Sequence, residues 1–215
     1  MRDEFFQKIT ASVVDGEPEI TVDLTKRAIE AGLEPMAIID QGLIPGMDIV
    51  GKKFDSGEYF LPNLIFSAKA MQASMDILEP ELHARNQERK MAGKVVIGTV
   101  QGDIHEIGKS LVATMLAANS FQVYDLGVDV KPEVFIQKVR ETGSNLVGLS
   151  ALLTTTMPVQ KDVILALQEA GLRDKVKVMV GGAPVTRSWA DEIGADGFAE
   201  DAIGAVVVAK SLCKE

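Results

Sequence analysis

From Lys94 onward the hydrophobic period of the chain switches back and forth, and that alternation limits the folds open to it. KVVIGTV, FQVYDLGV, NLVGLSALL, VKVMVGG and the weaker ADGFAE are short β-type runs. Between and after them come IGKSLVATMLAAN, PEVFIQKVRETG, MPVQKDVILALQEAG, SWADEIG and AIGAVVVAKSL, which have helical spacing. Strand and helix alternate five times. The expectation is a five-stranded parallel sheet with helices on both faces, doubly wound in the flavodoxin-like manner. In such sheets ligands bind beyond the carboxyl ends of the strands.

The preceding residues follow a different rule. DEFFQKITASVV, ITVDLTKRAIEAG, PMAIIDQGLIPGMDIVGKKF and LPNLIFSAKAMQASMDILEPELHAR carry apolar residues three and four apart. Gly16, Gly32 and Ser56–Gly57 supply stops, and Pro18, Pro35 and Pro62 stand near starts. Nothing here alternates as a strand does. An N-terminal all-α domain, a four-helix bundle over residues 1–89, therefore precedes an α/β domain over residues 90–215. Polar ARNQERKMAG reads as the end of the last helix running into a linker.

Composition narrows the partners. The net charge of −9 would repel nucleic acid and anionic lipid. Neither a signal peptide nor a membrane span is legible, and the single cysteine, Cys213, allows no disulfide within the chain. The expectation is a cytoplasmic protein. Cys213, with no histidine near it in sequence, reads as an inert helix-face residue.

The chain has only two histidines, and one, His105, falls in GDIHEIG directly after the first strand of the sheet. A lone loop histidine usually has no task. Its neighbours argue otherwise. Gly102 and Gly108 permit a tight turn and close approach to a ligand. Asp103 can accept a hydrogen bond from one ring nitrogen, leaving the other as an outward lone pair, the arrangement of a metal-ligating histidine. GDIHEIG does not fit the dinucleotide pattern GxGxxG. A bare zinc ion would need three or four ligands, and only His83 adds a second histidine. One strong ligand suits a metal that brings its others in a macrocycle. Ser150 and Leu152 after the third strand, and Gly181–Gly182 after the fourth, place small residues at neighbouring strand ends, where they could line one groove.

Asp103-x-His105-x-x-Gly108, then Ser150-x-Leu152, then Gly181-Gly182 resembles, in spacing as well as residue type, the cobalamin-binding signature of methyltransferase corrinoid proteins. GMDIVGKKFDSGEYFLPNLIFSAKAM resembles their helical cap, so the likeness covers nearly the whole chain. The chain is similar to the free-standing corrinoid proteins of methylamine, methanol and aryl methyl ether demethylation and to the cobalamin module of methionine synthase. SALLTTTM and GGAPV look closest to the methylamine group.

The resemblance implies a role for each of these residues. His105 would be the lower axial ligand of cobalt, Asp103 would hold its ring, and Thr156 would complete the relay. Ser150 and Thr154 would hydrogen-bond the nucleotide base or corrin edge. Gly102, Ile104, Glu106, Ile107 and Gly108 would surround the corrin's lower face, with Leu152 beside them. Gly181, Gly182 and Ala183 would give the tail room, and Ala202 would touch it. Phe54, Leu61 and Leu64 would cover the methyl group from the cap, although apolar residues at helical spacing are more often core. Tyr59 and Phe60 could equally be core or part of that cover, and Met71 and Met75 read as core.

The implied function is a methyl shuttle. Cobalt(I) accepts a methyl group from a substrate-specific methyltransferase, and a second methyltransferase passes it to tetrahydrofolate or coenzyme M. A reductive activase would be a third partner. The chain would be a carrier subunit and not a complete catalyst, with the linker as hinge. Two other readings compete. A cobalamin-dependent sensor shares both domains but usually adds a DNA-binding region. A hydrolase or phosphatase using Asp103 and His105 lacks a nucleophile, since Ser150 is not in a GxSxG elbow.

Overall fold

Proline and glycine set the ends of the first helices. In the computed structural model, which describes residues 2–85 and 91–214, α1 (Arg2–Val14) stops just before Gly16. α2 (Pro18–Glu30) and α3 (Pro35–Ile38) each begin on a proline, whose missing N–H has no partner to lose in a first turn. The third expected helix is three segments. α3 runs through a π turn (Ile39–Leu43) into α4 (Ile44–Asp55). Pro45 explains the interruption: its nitrogen cannot donate to the carbonyl four residues back, and its ring would strike that carbonyl. The ladder widens instead, with Ile44 N donating to Ile39 O. The Thr10 hydroxyl donates to the Gly42 carbonyl at 2.8 Å. α1 packs close here, since a Cβ on Gly46 would stand 2.8 Å from the Val13 side chain.

α5 (Leu61–Ala84) completes this unit. Ile9, Val13, Ile38, Ile39, Leu43, Leu64, Met71 and Leu78 are fully buried, and each such side chain contributes about 1.5–3 kcal/mol. Met75 is buried as well. Phe60, which the sequence left open between core and cap surface, is 67% exposed. It precedes α5, and its amide is capped by Asn63 Oδ1 at 3.0 Å, so its ring lies off the packed face. Residues 86–90 of the expected linker lie outside the described residues.

The chain divides into two compact units, 1–90 and 91–215. The second contains β1 (Gly93–Thr99), α6 (Ile107–Ala118), β2 (Phe121–Asp125), α7 (Pro132–Thr142), β3 (Leu146–Ser150), α8 (Met157–Glu169), β4 (Lys177–Gly181), α9 (Arg187–Ile193), β5 (Gly197–Phe198) and α10 (Ala202–Leu212). A short 3-10 turn, Arg173–Lys175, precedes β4. The strands are parallel in the order β2-β1-β3-β4-β5. β5, the weakest run in the sequence, is only two residues long.

Phe135, Ile136 and Val139 of α7, Val163, Ile164 and Leu167 of α8, and Ala190 and Ile193 of α9 share a core with Val96, Val147, Leu149, Val178 and Val180 of the strands. α6 and α10 pack together away from that core. The chain leaves β1 toward β2 on one side, and β3 leads to β4 on the other. The β1–β3 boundary is therefore where the winding reverses, the position at which such folds leave a crevice. Thr99 is in register with Ser150, and Ser150 with Gly181, so three strands end level there.

Candidate functional site

The turn after β1 is a tight one. Gly102 has φ +84, a conformation that favours glycine, and the next residue points inward. The Asp103 side chain has no exposed surface. Five groups donate to its carboxylate. Oδ1 accepts from the His105 amide at 3.1 Å and from His105 Nδ1 at 2.7 Å. Oδ2 accepts from the amides of Leu152 at 2.7 Å and Leu153 at 3.3 Å, and from the Thr156 hydroxyl at 2.7 Å. Burial alone would raise the pKa of this carboxyl. The hydrogen bonds from Thr156, His105 and Leu152 outweigh it and hold the group well below the usual carboxylate range.

That carboxylate fixes the chemistry of the imidazole. An ionised carboxylate only accepts, so Nδ1 carries a proton, and in the neutral ring Nε2 keeps its lone pair. The His105 side chain is 47% exposed, and Nε2 has no hydrogen-bond partner among the described residues. The Thr99 hydroxyl donates to the His105 carbonyl at 2.8 Å, which fixes the backbone too.

Large aliphatic residues flank His105 in its own segment and stand in the β3–α8 loop bound to Asp103. Ile104 is 75% and Ile107 77% exposed, while Leu152 and Leu153, whose amides bind Asp103, are 40% and 43% exposed. Four large solvent-facing aliphatic residues on the two segments that hold the imidazole suit a broad apolar ligand with an electrophilic centre. Among the described residues no three His, Cys, Asp or Glu side chains gather as a metal site. A bare ion would lack ligands, whereas a metal held in a ring with its own equatorial donors needs only the imidazole.

Gly102, Asp103, Ile104, His105 and Glu106 form the β1–α6 loop, and Ile107 and Gly108 open α6. Ser150 ends β3, while Leu152 and exposed Thr154 lie in the β3–α8 loop. Thr156 is buried at the start of α8. Gly181 ends β4, followed by Gly182 and exposed Ala183. Gly182 has φ +130, and a Cβ there would stand 1.8 Å from the Ala151 carbonyl oxygen, so only glycine fits. Ala202 is buried at the first position of α10. The residues of this unit thus stand at the carboxyl edge of β1, β3, β4 and β5. Phe54 is half-buried in α4, Leu61 is exposed at the start of α5 and Leu64 is fully buried in α5; these three belong to the helical unit. Cys213 is half-buried, and burial pushes its thiol pKa up, the opposite of an activated nucleophile.

Three features escape a reading of the sequence. Asp129 accepts from the Gly102 amide and donates its own amide to the Asp103 carbonyl. Lys109, with 2% of its side chain exposed, pairs with Asp125 at 2.7 and 2.5 Å. Buried Gln160 donates to the carbonyls of Leu149 and Gly181 and accepts from Trp189 Nε1, tying the ends of β3 and β4. A lysine one turn after His105 on an apolar helix was a signal for the second. The other two carry none, because their partners are distant in sequence and mostly backbone groups.

Two family models, each described as B12 binding domain, match residues 93–207 and 6–79. Dimethylamine corrinoid protein 2 of Methanosarcina acetivorans is 46% identical over 211 residues, covering 98% of this chain and 97% of its own. Trimethylamine corrinoid protein 2 of Methanosarcina mazei is 43% identical over 213 residues, covering 99% and 98%. The solved methanol:cobalamin methyltransferase complex of Methanosarcina barkeri contains a chain 33% identical to this one. It matches with TM-score 0.88 and covers 98% of this chain and 80% of its own. With an imidazole held lone pair outward on an apolar strand edge, and with these likenesses spanning both units, the chain belongs to the corrinoid proteins of the B12-binding family.

Proposed function

We propose that this protein is a methyl-carrying corrinoid protein, loaded by a substrate-specific methyltransferase and unloaded by a second methyltransferase that acts on tetrahydrofolate or coenzyme M. When bound, the corrinoid supplies a cobalt centre that can accept and release a methyl group. His105 is the residue that would hold it from below through Nε2. The carrying observation is the buried Asp103 carboxylate with five donors, which fixes the imidazole tautomer and aims one lone pair out of the protein.

The remaining residues act around that bond. Thr156, Leu152 and Leu153 keep Asp103 charged, and Asp103 keeps the proton on His105 Nδ1. Ile104, Ile107, Leu152 and Leu153 offer solvent-facing apolar surface that a bound corrinoid would cover. Gly181, Gly182 and Ala183 leave the strand edge bare of bulky side chains where a ligand tail would run. A reductive activase that restores the reduced metal is the third expected partner. The likeness to a chain of a methyltransferase complex supports the carrier reading over the sensor reading.

Incubating the apoprotein with hydroxocobalamin, desalting it and recording the visible spectrum tests the first half of this proposal. Retained colour in stoichiometric amount is expected; a colourless protein would overturn it. Adding a methyltransferase with its methyl donor to the reduced protein should then convert the spectrum, and no conversion with any of the methylamine, methanol or aryl ether enzymes would reject the carrier role.

A further inference from the structure

The segment after β2 grips the His105 loop from the side opposite Asp103's other partners. Asp129 is one of two non-glycine residues with positive φ among the described residues, at +53. Aspartate and asparagine visit this left-handed region more readily than other side chains. The residue makes two bonds to one short stretch of the loop. Asp129 Oδ1 accepts from the Gly102 amide at 2.7 Å, and the Asp129 amide donates to the Asp103 carbonyl at 2.9 Å. Neighbouring ties continue this grip: Thr99 N donates to Gly127 O, and Val130 N donates to Thr99 O, both at 3.0 Å. Gly102 itself stands at φ +84. Two consecutive residues of the loop, one of them in a left-handed backbone conformation, are thus held by a single aspartate.

We propose that Asp129 is a positioning residue for the His105–Asp103 pair. It acts through Gly102 and the Asp103 backbone, and this rests on the reading of His105 as the axial ligand. Asp103 can meet five donors only if its backbone is fixed on the strand side of the loop. The carboxylate of Asp129 and its left-handed backbone together do this. Releasing Gly102 would let Asp103 turn, and the imidazole would lose its orientation without any change in the residues that touch the ligand.

Three variants separate the two contributions. D129N keeps an oxygen acceptor and tolerates the left-handed backbone. D129G keeps the backbone and removes the acceptor. D129A removes the acceptor and strains the backbone. In the apoprotein, amide hydrogen exchange at Gly102 reads the bond itself. Exchange should rise about tenfold in D129G, the size expected for loss of a charge-assisted hydrogen bond, rise further in D129A, and stay within about threefold of the parent in D129N. In the loaded protein, the visible spectrum should shift toward the form without histidine coordination in D129G and D129A and be restored in D129N, with far-UV circular dichroism unchanged. Gly102 exchange and spectrum in D129G matching the parent would overturn the proposal. If the parent itself retains no corrinoid, the carrier reading fails; if the parent shows histidine coordination and D129G shows it equally, only the role of Asp129 fails.

Discussion

Replacing Asp103 by asparagine keeps the shape of the side chain and removes its charge, and the hydrogen-bond pattern decides which donor loses its partner. The new amide group must face one of two sets of donors. Turned toward Oδ2's partners, it strands the amides of Leu152 and Leu153, while the Thr156 hydroxyl can rotate to accept. Turned toward Oδ1's partners, it strands only the His105 amide, because the ring can change tautomer and accept at Nδ1. The second choice costs less, about 1–3 kcal/mol for one buried unpaired amide. The other bonds lose their ionic character, so the expected total is about 2–4 kcal/mol at neutral pH. The same choice puts the proton on Nε2 and removes the lone pair, so D103N should hold corrinoid without histidine coordination.

Urea unfolding of the two apoproteins across pH measures this. Asp103's folded pKa is depressed, so its contribution is complete above the unfolded value near 3.9 and is lost as pH falls toward the folded value. The difference between parent and D103N should therefore be level from about pH 8 to pH 5 and shrink below about pH 4. A difference under about 1 kcal/mol, or one that stays level into strong acid, would refute the account of the five-donor carboxylate.

Other expectations come from single contacts. T156V removes one donor from Asp103 and should cost about 1–2 kcal/mol of apoprotein stability; T156S should retain the bond, and equal losses in both would dismiss the hydroxyl. Gly182→Ala places a Cβ against the Ala151 carbonyl at a φ that side chains rarely adopt; the expected result is loss of corrinoid retention on a desalting column together with a lowered Tm, and unchanged retention would remove the strand edge from the tail's path. The Lys109–Asp125 pair is asymmetric, with 2% of the lysine but 36% of the aspartate exposed. D125A should therefore cost about 3 kcal/mol by leaving a buried cation unpaired, and K109M only about 1, as followed by urea unfolding; the reverse order would show that the lysine finds another partner.

The sheet was legible because burial on both faces gives continuous apolar runs, and Val96, Val147, Leu149, Val178 and Val180 do form its core. β5 was the weakest run in the sequence and is the shortest strand, since Gly197–Phe198 carries almost no pattern. The π turn was invisible to periodicity: a helix that widens by one residue at Pro45 keeps its apolar stripe while changing its ladder. Of the site, the Asp103–His105 bond is local in sequence and could be inferred from the motif. Its support by the amides of Leu152 and Leu153 and by Asp129 could not, because backbone amides leave no trace in residue type. Phe60 lies between the two helical runs, where periodicity says nothing of burial, and its exposure is settled only by the fold.

The central claim is a bond from the His105 ring to the metal, and nitrogen isotope substitution reads it directly. Protein grown with 15N-histidine and loaded with unlabelled corrinoid, then reduced to the cobalt(II) state, should show the axial-nitrogen splitting of its paramagnetic resonance spectrum change from a triplet to a doublet. A triplet that persists would mean that the corrinoid's own base is the ligand, and would contradict the account.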